Sequence, residues 1–376
     1  MKILADKNIP YLKGVFEPFV EIDYMSGQDI VSESLIGVEV LIVRTRTICN
    51  EKLLKGSSVK LIATATIGYD HIDTKYCSEN GIKWVTAPGC NSKAVQQWVM
   101  GAILFYAREH KLDLRKQVLG VVGVGNVGEK VVEFAEVIGM PVILNDPPRE
   151  DKEGKCVFRS FETIKKECNI ITFHVPLIST CKYKTLEILN QKSLDELRNG
   201  VVVLNSSRGE VIKGDALINS LKKGAVRDAM LDVWEKEPKL DEELLGLSYL
   251  GTPHIAGYSR EGKANGTAAA VKAVAQYYDI PLEDWYPEEL VGADKKHLLV
   301  DCKSKSLQDV ITEVVLQTYS IESDSANLKK KPSDFELYRS TYDYRSEPQA
   351  WNIELKHADD SVKIALNDLG FSVKAT

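Results

Sequence analysis

The sequence contains no stretch long enough to cross a membrane and no secretion signal. Its longest apolar run lies between Trp98 and Ala107, whereas a spanning helix needs about 20 apolar residues. The first residues, MKILADKN, carry charges where a signal peptide has its apolar segment. We therefore expect a cytoplasmic protein that has no membrane partner.

Paired cysteines, metal-ligand clusters and an excess of basic residues are also missing. The seven cysteines are scattered and form no CxxC pair, so neither a disulfide framework nor a zinc site is expected. Lysine and arginine together number 48 against 54 aspartates and glutamates, which gives a net charge of −6. The scattered cysteines therefore predict a reducing compartment and no bound metal. The negative net charge predicts no nucleic-acid partner, because such a partner favours a basic surface.

The composition is that of a soluble globular protein, with 44% hydrophobic and 27% charged residues in a chain of 376. At about 150 residues per domain, this length indicates two or three domains. As far as residue 285, short apolar runs alternate with amphipathic helical stretches, a pattern typical of α/β folds with parallel sheets. The strand candidates are KILAD, VEVLIVRT, KLIATAT, KWVTA, VLGVVGVG, PVILND, NIITFHV, VVVLNS, AMLDVW and SYLGTP.

Two α/β blocks are recognisable, followed by a different tail. The first block runs from Met1 to about Gly89, and the second starts near Gln117. The stretch 93–108 reads as one long helix that joins them. Beyond about residue 286, an amphipathic helix over 307–315 and the strand-like segments WNIEL and FSVKA predict a small α+β unit.

A glycine-rich motif, GVGNVG, stands between the strand QVLGVV and the helical run EKVVEFAEVIG. Gly123 permits the tight turn, Gly125 lets a pyrophosphate approach the backbone, and Gly128 lets the helix pack on the strand. Asp146 ends the next strand, where its carboxylate would bind the ribose hydroxyls and repel a 2′-phosphate. With strand, helix and acid all in place, the motif predicts NAD binding rather than a turn without a ligand, although Arg149 leaves NADP as an alternative.

Three further residues, dispersed along the chain, suit the oxidation of an alcohol. Such a reaction needs a base for the hydroxyl proton, a carboxylate that holds the base, and a cation for an anionic substrate. His254, Glu237 and Arg208 can fill these roles in that order. Taken singly, each also has a structural reading: a surface histidine, a charge near a helix N-terminus, or a sheet-edge ion pair.

The sequence resembles the D-isomer-specific 2-hydroxyacid dehydrogenases through GVGNVG, HVPL, NSSRGEV, LDVWEKEP and TPHIAGYS. A second set of motifs narrows the similarity to one member of that family over essentially the whole chain: VRTRT, TATIGYDHID, APGCNS, NDPPR, HIAGYSREGK and FELYRSTYDYR. The resemblance implies an α/β fold with a Rossmann-type doubly wound parallel sheet in an NAD-binding domain (93–255). It also implies a flavodoxin-like substrate (lid) domain (1–92 and 256–285) and a small C-terminal α+β dimerisation domain (286–376).

The resemblance also implies roles for individual residues. Arg208, Glu237 and His254 match catalytic positions, with His254 as the proton-transferring group. Thr45, which replaces a serine, matches a substrate position, as do Thr66 and Tyr258. Val175 stands where a hydroxyl residue is common, so any contact with the cofactor there must use the backbone. The expected cofactor positions are Gly123, Gly125, Asn126, Val127, Gly128, Asp146, Val175, Ser206, Ser207, Arg208, Asp232 and Gly257.

The implied activity is the NAD-dependent oxidation, at C2, of a phosphorylated four-carbon 2-hydroxy acid. Such a substrate has two anionic ends, and we expect Arg208 at the carboxylate. At the phosphate we expect one of the two arginines that flank Thr45, Arg44 rather than Arg46, because a guanidinium bonds phosphate at two points. Two alternatives stay open. The chain could be another dehydrogenase of the family, of the phosphoglycerate or hydroxypyruvate type, or a non-catalytic NAD-sensing protein that resembles a corepressor.

The tail predicts a homodimer held mainly by residues after 286; the alternative is a tail that packs only on its own chain. Its aromatic residues are expected to be exposed, and a large exposed apolar face usually marks an interface, which in homodimers commonly has two-fold symmetry. The residues concerned are Tyr338, Tyr342, Tyr344 and Trp351.

Overall fold

The computed structural model describes residues 1–154, 156–291 and 293–375. Within them the strands are β1 (Lys2–Asp6), β2 (Glu21–Met25), β3 (Val40–Val43), β4 (Leu61–Thr64), β5 (Lys83–Val85), β6 (Leu119–Val122), β7 (Val142–Asn145), β8 (Ile170–Phe173), β9 (Val201–Asn205), β10 (Val226–Leu231), β11 (Leu250–Gly251), β12 (Lys296–Asp301), β13 (Trp351–Lys356) and β14 (Ser372–Ala375). The helices are α1 (Glu51–Leu54), α2 (Thr74–Glu79), α3 (Ser92–Glu109), α4 (Asn126–Val137), α5 (Pro147–Glu153), α6 (Phe161–Glu167), α7 (Gln191–Asp195), α8 (Gly214–Lys223), α9 (Glu242–Leu247), α10 (Arg260–Tyr278), α11 (Leu307–Thr318), α12 (Ile321–Lys330), α13 (Phe335–Ser340) and α14 (Asp360–Asp368).

The chain divides into two compact units. One contains Met1–Asn91 and Ser259–Asp294, and the other contains Ser92–Tyr258 and Lys295–Thr376. From Lys295 onward the tail therefore lies in the same compact unit as the glycine-rich motif, whereas its first residues, up to Asp294, belong to the other unit. The three functional domains expected from the sequence, with their boundaries, stay a prediction.

The first unit is built on a five-stranded parallel sheet in the order β2-β1-β3-β4-β5. This is the flavodoxin-like order, as the resemblance implied. Strands β3 and β4 are buried along their whole length because apolar residues occupy nearly every position, and α10 packs against β4. Strand β2 was not predicted, because its segment EIDYM carries two acidic residues and lies at the sheet edge.

The second unit contains a six-stranded parallel sheet in the order β11-β10-β9-β8-β6-β7. An isolated parallel bridge joins Leu144 of β7 to Phe158 and occupies the next position in this sheet. Counted with that bridge, the order is the one found in Rossmann folds, with its switch point between β6 and β8. The expected doubly wound Rossmann-type sheet is therefore confirmed.

The tail adds a small parallel sheet, β12-β13-β14, to the second unit. Helix α11 packs on α3, and α12 packs on β11. Buried side chains of α11, among them Val310 and Val314, belong to the same hydrophobic core as Trp98 of α3. The edge strand β12 was not predicted, because its residues are mostly exposed and its apolar run is only three residues long, with polar residues on both sides.

The aromatic residues of the tail are not exposed, so that expectation was wrong. All four are half-buried (Tyr338, Tyr342, Tyr344 and Trp351). Two of these rings pack edge-on against Tyr258 of the same unit, with centroid distances of 6.1 Å for Tyr342 and 5.9 Å for Tyr344. Contacts within the chain, which the sequence pattern does not show, bury them.

Across the described ranges, no helix has both the length and the apolar character needed to cross a bilayer.

Candidate active site

The glycine-rich turn between β6 and α4 is closely packed at its first and third glycines. Gly123 has a φ of 86°, and a Cβ there would lie 2.5 Å from the carbonyl oxygen of His174 and 2.7 Å from Val175. A Cβ on Gly128 would lie 3.0 Å from the carbonyl carbon of Gly123 and closer still to its oxygen. Only hydrogen fits at both positions, so the turn brings the end of β6, the start of α4 and Val175 together.

The second glycine of the motif is open instead. A Cβ on Gly125 would meet nothing within 4 Å, and both Gly125 and Asn126 are exposed. Helix α4 starts here, with Val127 half-buried in its first turn, and the free N–H groups of a helix N-terminus attract anions. The turn therefore has the space and the hydrogen-bond donors that a dinucleotide pyrophosphate requires.

Asp146, at the end of β7, connects this turn to the next helix. One carboxylate oxygen accepts a hydrogen bond from Val124 N at 2.8 Å, and the other accepts one from Arg149 N at 3.1 Å, which caps α5. The guanidinium of Arg149 is paired with Glu153 at 2.7 Å and with Glu129 at 2.8 Å. Because Arg149 already forms ion pairs with two carboxylates, the structure favours NAD over NADP, whose 2′-phosphate Arg149 would have to bind.

The loop after β9 holds the serines and the arginine that the sequence singled out. Asn205 Oδ1 accepts hydrogen bonds from Ser207 N at 3.0 Å and Ser207 Oγ at 2.8 Å, and Asn205 Nδ2 donates to Arg208 O at 2.8 Å. The sequence did not identify Asn205; its only signal was its place as the last residue of a buried strand. Ser206 Oγ is buried and has no hydrogen-bond partner among the described residues, so this hydroxyl is available for a ligand.

Arg208 is followed by a glycine whose backbone lies very close to the backbone of another segment. Its side chain is half-buried and donates to Ser207 O at 2.8 Å. A Cβ on the following residue, Gly209, would lie 2.5 Å from Glu235 N. The segment that carries Arg208 therefore lies against the segment that leads to Glu237.

Glu237 and His254 form a hydrogen-bonded pair. His254 Nδ1 lies 2.8 Å from one carboxylate oxygen, and the other oxygen accepts a hydrogen bond from Trp234 N at 3.0 Å. Burial alone would raise the pKa of Glu237, but the charge and hydrogen bond of His254, together with the Trp234 N–H and the charge of Arg339, bring that pKa below its ordinary value. An ionised carboxylate only accepts hydrogen bonds, so Nδ1 of His254 donates, and in the neutral ring Nε2 is then the acceptor.

Asp232 anchors the turn that carries His254. Its buried carboxylate accepts hydrogen bonds from Thr252 Oγ1 at 2.6 Å, Ile255 N at 2.8 Å and Ala256 N at 2.9 Å. The resemblance implied contact with the cofactor for Asp232 and for the nearby Gly257, which is half-buried. The structure adds a positioning role for Asp232 that the sequence did not indicate.

The expected substrate residues of the first unit lie just beyond the ends of two adjacent strands. Arg44 and the exposed Thr45 follow β3, and Arg44 Nη1 donates to Asn8 O at 2.9 Å. Thr66 follows β4, and its hydroxyl lies 2.8 Å from that of Thr64, which lies 3.2 Å from Nε2 of the buried His71. The sequence did not identify His71 as part of this chain of hydrogen bonds.

Tyr258 belongs to the second unit, where Arg339 Nη2 donates to its hydroxyl at 3.4 Å. The structure thus groups His254, Glu237, Arg208 and Tyr258 with the glycine-rich turn in one unit, and Arg44, Thr45 and Thr66 in the other. In the part of the chain that the structure describes, no three His, Cys, Asp or Glu side chains are arranged to hold a metal ion.

Comparison with known proteins identifies relatives of this arrangement. A family model described as D-isomer specific 2-hydroxyacid dehydrogenase, NAD binding domain, matches residues 91–256. The chain is 43% identical over 354 residues to an erythronate-4-phosphate dehydrogenase from Bacteroides thetaiotaomicron, covering 94% of this chain and 99% of the relative. It is 36% identical over 380 residues to an erythronate-4-phosphate dehydrogenase from Escherichia fergusonii, covering 99% of this chain and 98% of the relative.

Two solved structures share the fold. The D-lactate dehydrogenase from Aquifex aeolicus, complexed with NAD and lactic acid, matches with a TM-score of 0.62 and 26% identity, covering 78% of this chain and all (100%) of that one. The NAD⁺-bound 3-phosphoglycerate dehydrogenase from Entamoeba histolytica matches with a TM-score of 0.63 and 25% identity, covering 75% of this chain and 97% of that one.

Proposed function

Because the chain belongs to the erythronate-4-phosphate dehydrogenases, within the D-isomer-specific 2-hydroxyacid dehydrogenase family, we propose that it oxidises 4-phospho-D-erythronate at C2. The product is 2-oxo-3-hydroxy-4-phosphobutanoate, and the reaction is a step of pyridoxal 5′-phosphate (vitamin B6) biosynthesis. The protein is an NAD-dependent dehydrogenase. The observation that carries the proposal is the Glu237–His254 pair, which lies in the same compact unit as the glycine-rich turn.

The pair suits proton transfer from a secondary alcohol. When bound, NAD supplies the nicotinamide ring that takes the hydride from C2. His254 Nε2 accepts the proton of the C2 hydroxyl as the carbonyl forms, a contribution of about 10²- to 10⁴-fold for a positioned general base. Glu237 holds the ring through Nδ1 and stabilises the imidazolium that results, because its lowered pKa keeps it ionised.

The residues expected around the cofactor keep the roles implied by the resemblance as proposals. Support comes from the open space at Gly125, from the place of Asp146 beside the glycine-rich turn, and from the Ser206 hydroxyl, which has no partner among the described residues. The cofactor contacts proposed on the same grounds are those of Asn126, Val127, Val175, Ser207, Arg208, Asp232 and Gly257.

The substrate has an anionic group at each end. We assign its carboxylate to Arg208, and its phosphate to Arg44, with Thr45, Thr66 and Tyr258 as further contacts. Arg44 uses one donor on Asn8 O, and a guanidinium has five N–H donors, so others are left for a phosphate. Replacing Arg44 by alanine should weaken the binding of 4-phosphoerythronate much more than the binding of an unphosphorylated 2-hydroxy acid. An equal loss for both substrates would contradict this assignment.

The tail is proposed to join two copies into a homodimer. Among its residues, Leu299 on β12 is 52% exposed and Ile364 on α14 is 60% exposed, and we place these two apolar side chains in the interface. Sedimentation velocity of the full chain should show a dimer, and Leu299→Asp or Ile364→Asp should shift it towards monomer. A monomer in the unmodified protein would refute the proposal.

A location in the cytoplasm is proposed from the sequence, and the seven cysteines, all free thiols, suit a reducing compartment.

The decisive experiment measures NADH formation with 4-phosphoerythronate, 3-phosphoglycerate and D-lactate in parallel, each with NAD and with NADP. The proposal requires turnover of 4-phosphoerythronate with NAD at the highest kcat/KM. Preference for 3-phosphoglycerate would favour another dehydrogenase of the family. NAD binding without turnover of any 2-hydroxy acid would instead indicate a sensing protein.

A further inference from the structure

We propose that Arg345, in the tail, is a positioning residue for His254: its guanidinium holds the carbonyl groups of the turn that follows His254. This inference rests on the proposed function, because it gives the tail a part in the same proton transfer. The two segments are far apart in sequence but belong to the same compact unit.

The contacts of Arg345 with this turn are specific. Arg345 is 8% exposed, and its Nη1 donates to the carbonyl oxygens of Ile255 and Tyr258, each at 3.0 Å. Its Nη2 donates to the carbonyl oxygen of Ala256. One side chain therefore accounts for three of the carbonyl groups that come directly after His254.

The guanidinium is itself held in place from the opposite direction. Nε donates to Gln97 Oε1 at 3.0 Å and Nη2 donates to Ala94 O at 2.8 Å, both on α3. The ring of Tyr319 lies 4.4 Å from the guanidinium carbon. A planar group with five donors in a fixed arrangement can make these bonds at once, which a lysine ammonium cannot.

Both the carbonyl oxygens and the N–H groups of this turn bind a buried charged side chain. While Arg345 binds the carbonyl oxygens, Asp232 accepts the N–H groups of Ile255 and Ala256 at 2.8 and 2.9 Å. Asp232 also accepts, through its own backbone carbonyl, the N–H of His254 at 2.7 Å. The donors and acceptors of this short segment are therefore largely assigned to two buried charged side chains.

These hydrogen bonds are needed because His254 has an unfavourable backbone conformation. Its φ is 55°, in the left-handed region that side chains other than glycine seldom adopt. A strained conformation of this kind persists only where the surroundings enforce it, and it is common at active sites. Without the hydrogen bonds of Arg345 and Asp232, the turn would relax, and His254 would leave the position from which Nε2 reaches the C2 hydroxyl of the substrate.

The tail supports the preceding residues as well. Ser325 Oγ on α12 accepts a hydrogen bond from Gly251 N at 3.0 Å, and Lys329 Nζ donates to Tyr249 O at 3.2 Å. Hydrogen bonds from the tail thus reach the backbone on both sides of His254, which makes the tail part of the proposed catalytic geometry.

The test compares Arg345→Met and Arg345→Lys with Val314→Ala, which removes buried apolar volume from the same hydrophobic core but none of the hydrogen bonds to the turn. We expect kcat of Arg345→Met with 4-phosphoerythronate to fall about 100-fold, the loss typical of a 1 Å misplacement, with a smaller fall for Arg345→Lys. The Kd for NAD should rise far less than kcat falls, because Gly257 of this turn is one of many proposed cofactor contacts, and the deuterium isotope effect on kcat with substrate labelled at C2 should increase. Val314→Ala should lower the melting temperature while kcat is retained.

Hydrogen exchange gives a readout that is independent of activity. In Arg345→Met, the amides of Ile255 and Ala256 should exchange at least about tenfold faster, whereas those of α4 should not change. Unchanged exchange, or a fall in kcat that Val314→Ala reproduces, would overturn the inference. If Arg345→Met fails to fold, Arg345→Lys decides by the same criteria. If the unmodified protein oxidises no 2-hydroxy acid, the proposed function fails, and the exchange rates alone decide the role of Arg345.

Discussion

Replacing Gly125 by alanine should weaken NAD binding strongly and leave the folded protein nearly as stable as before. In the structure, the added methyl group would meet no atom within 4 Å. It would instead occupy the exposed space above the N-terminus of α4, where the pyrophosphate has to approach the backbone. The substitution should therefore lower the affinity for NAD and hardly change the stability of the protein.

Both magnitudes follow from this geometry. Gly125 caps α4, and alanine is a poorer cap than glycine by roughly 0.5–1 kcal/mol, which limits the loss in the free energy of unfolding. A hydrogen bond to a charged group contributes about 1.5–3 kcal/mol. Loss of one such bond between a phosphate oxygen and a backbone N–H should therefore raise the Kd for NAD about 10- to 100-fold.

Gly128→Ala provides the matched control. Its methyl group would lie 3.0 Å from the carbonyl carbon of Gly123 and closer still to its oxygen, so the backbone must shift. We expect this variant to lose at least about 1–3 kcal/mol of unfolding free energy, the usual cost of overpacking.

The assays are calorimetric titration with NAD and urea unfolding without NAD. If Gly125→Ala binds NAD with the Kd of the unmodified protein, the pyrophosphate does not approach this glycine and the reasoning is refuted. A Gly125→Ala variant as unstable as Gly128→Ala would equally contradict the open space at this position.

Three further predictions concern single side chains. His254→Ala should lose at least about 100-fold in kcat with the Kd for NAD unchanged in calorimetric titration; a kcat within a few-fold of the original would exclude His254 as the base. Asp146→Ala should raise the Kd for NAD more than that for NADP in the same titration, because the carboxylate is expected to bind the ribose hydroxyls, and an unchanged ratio would place the selectivity elsewhere. Burial lowers the pKa of His71 from 6.5 to about 4, so the unfolded chain gains a proton that the folded protein does not as the pH falls through this range. The resulting loss of stability, up to about 3 kcal/mol, should be smaller in His71→Gln when urea unfolding is compared at pH 7 and pH 4, and equal losses would show that His71 does not titrate in this way.

The sequence determined the features whose causes lie close together along the chain. Strands β3, β4, β6 and β8 were predicted because apolar residues on nearly every position mark parallel strands buried on both faces. Helix α8 ends at Gly224, with a φ of 73°, as the glycine after its last turn indicated. The glycine-rich turn was equally local, since three glycines within six residues specify its shape. Edge strands β2 and β12 were missed because exposed strands need no continuous apolar run.

Only the tertiary structure decided which distant groups meet. Chemistry alone suggested pairing Glu237 with His254, but the hydrogen bond depends on the packing of two loops. No pattern in the sequence showed that Asp232 and Arg345 would hold opposite faces of the turn after His254, or that Tyr342 would be half-buried beside Tyr258. Local propensities act over one turn or one strand, whereas these contacts depend on how complete elements pack. The residues that carry the chemistry could therefore be named from the sequence, while those that hold them in position became visible only in the folded chain.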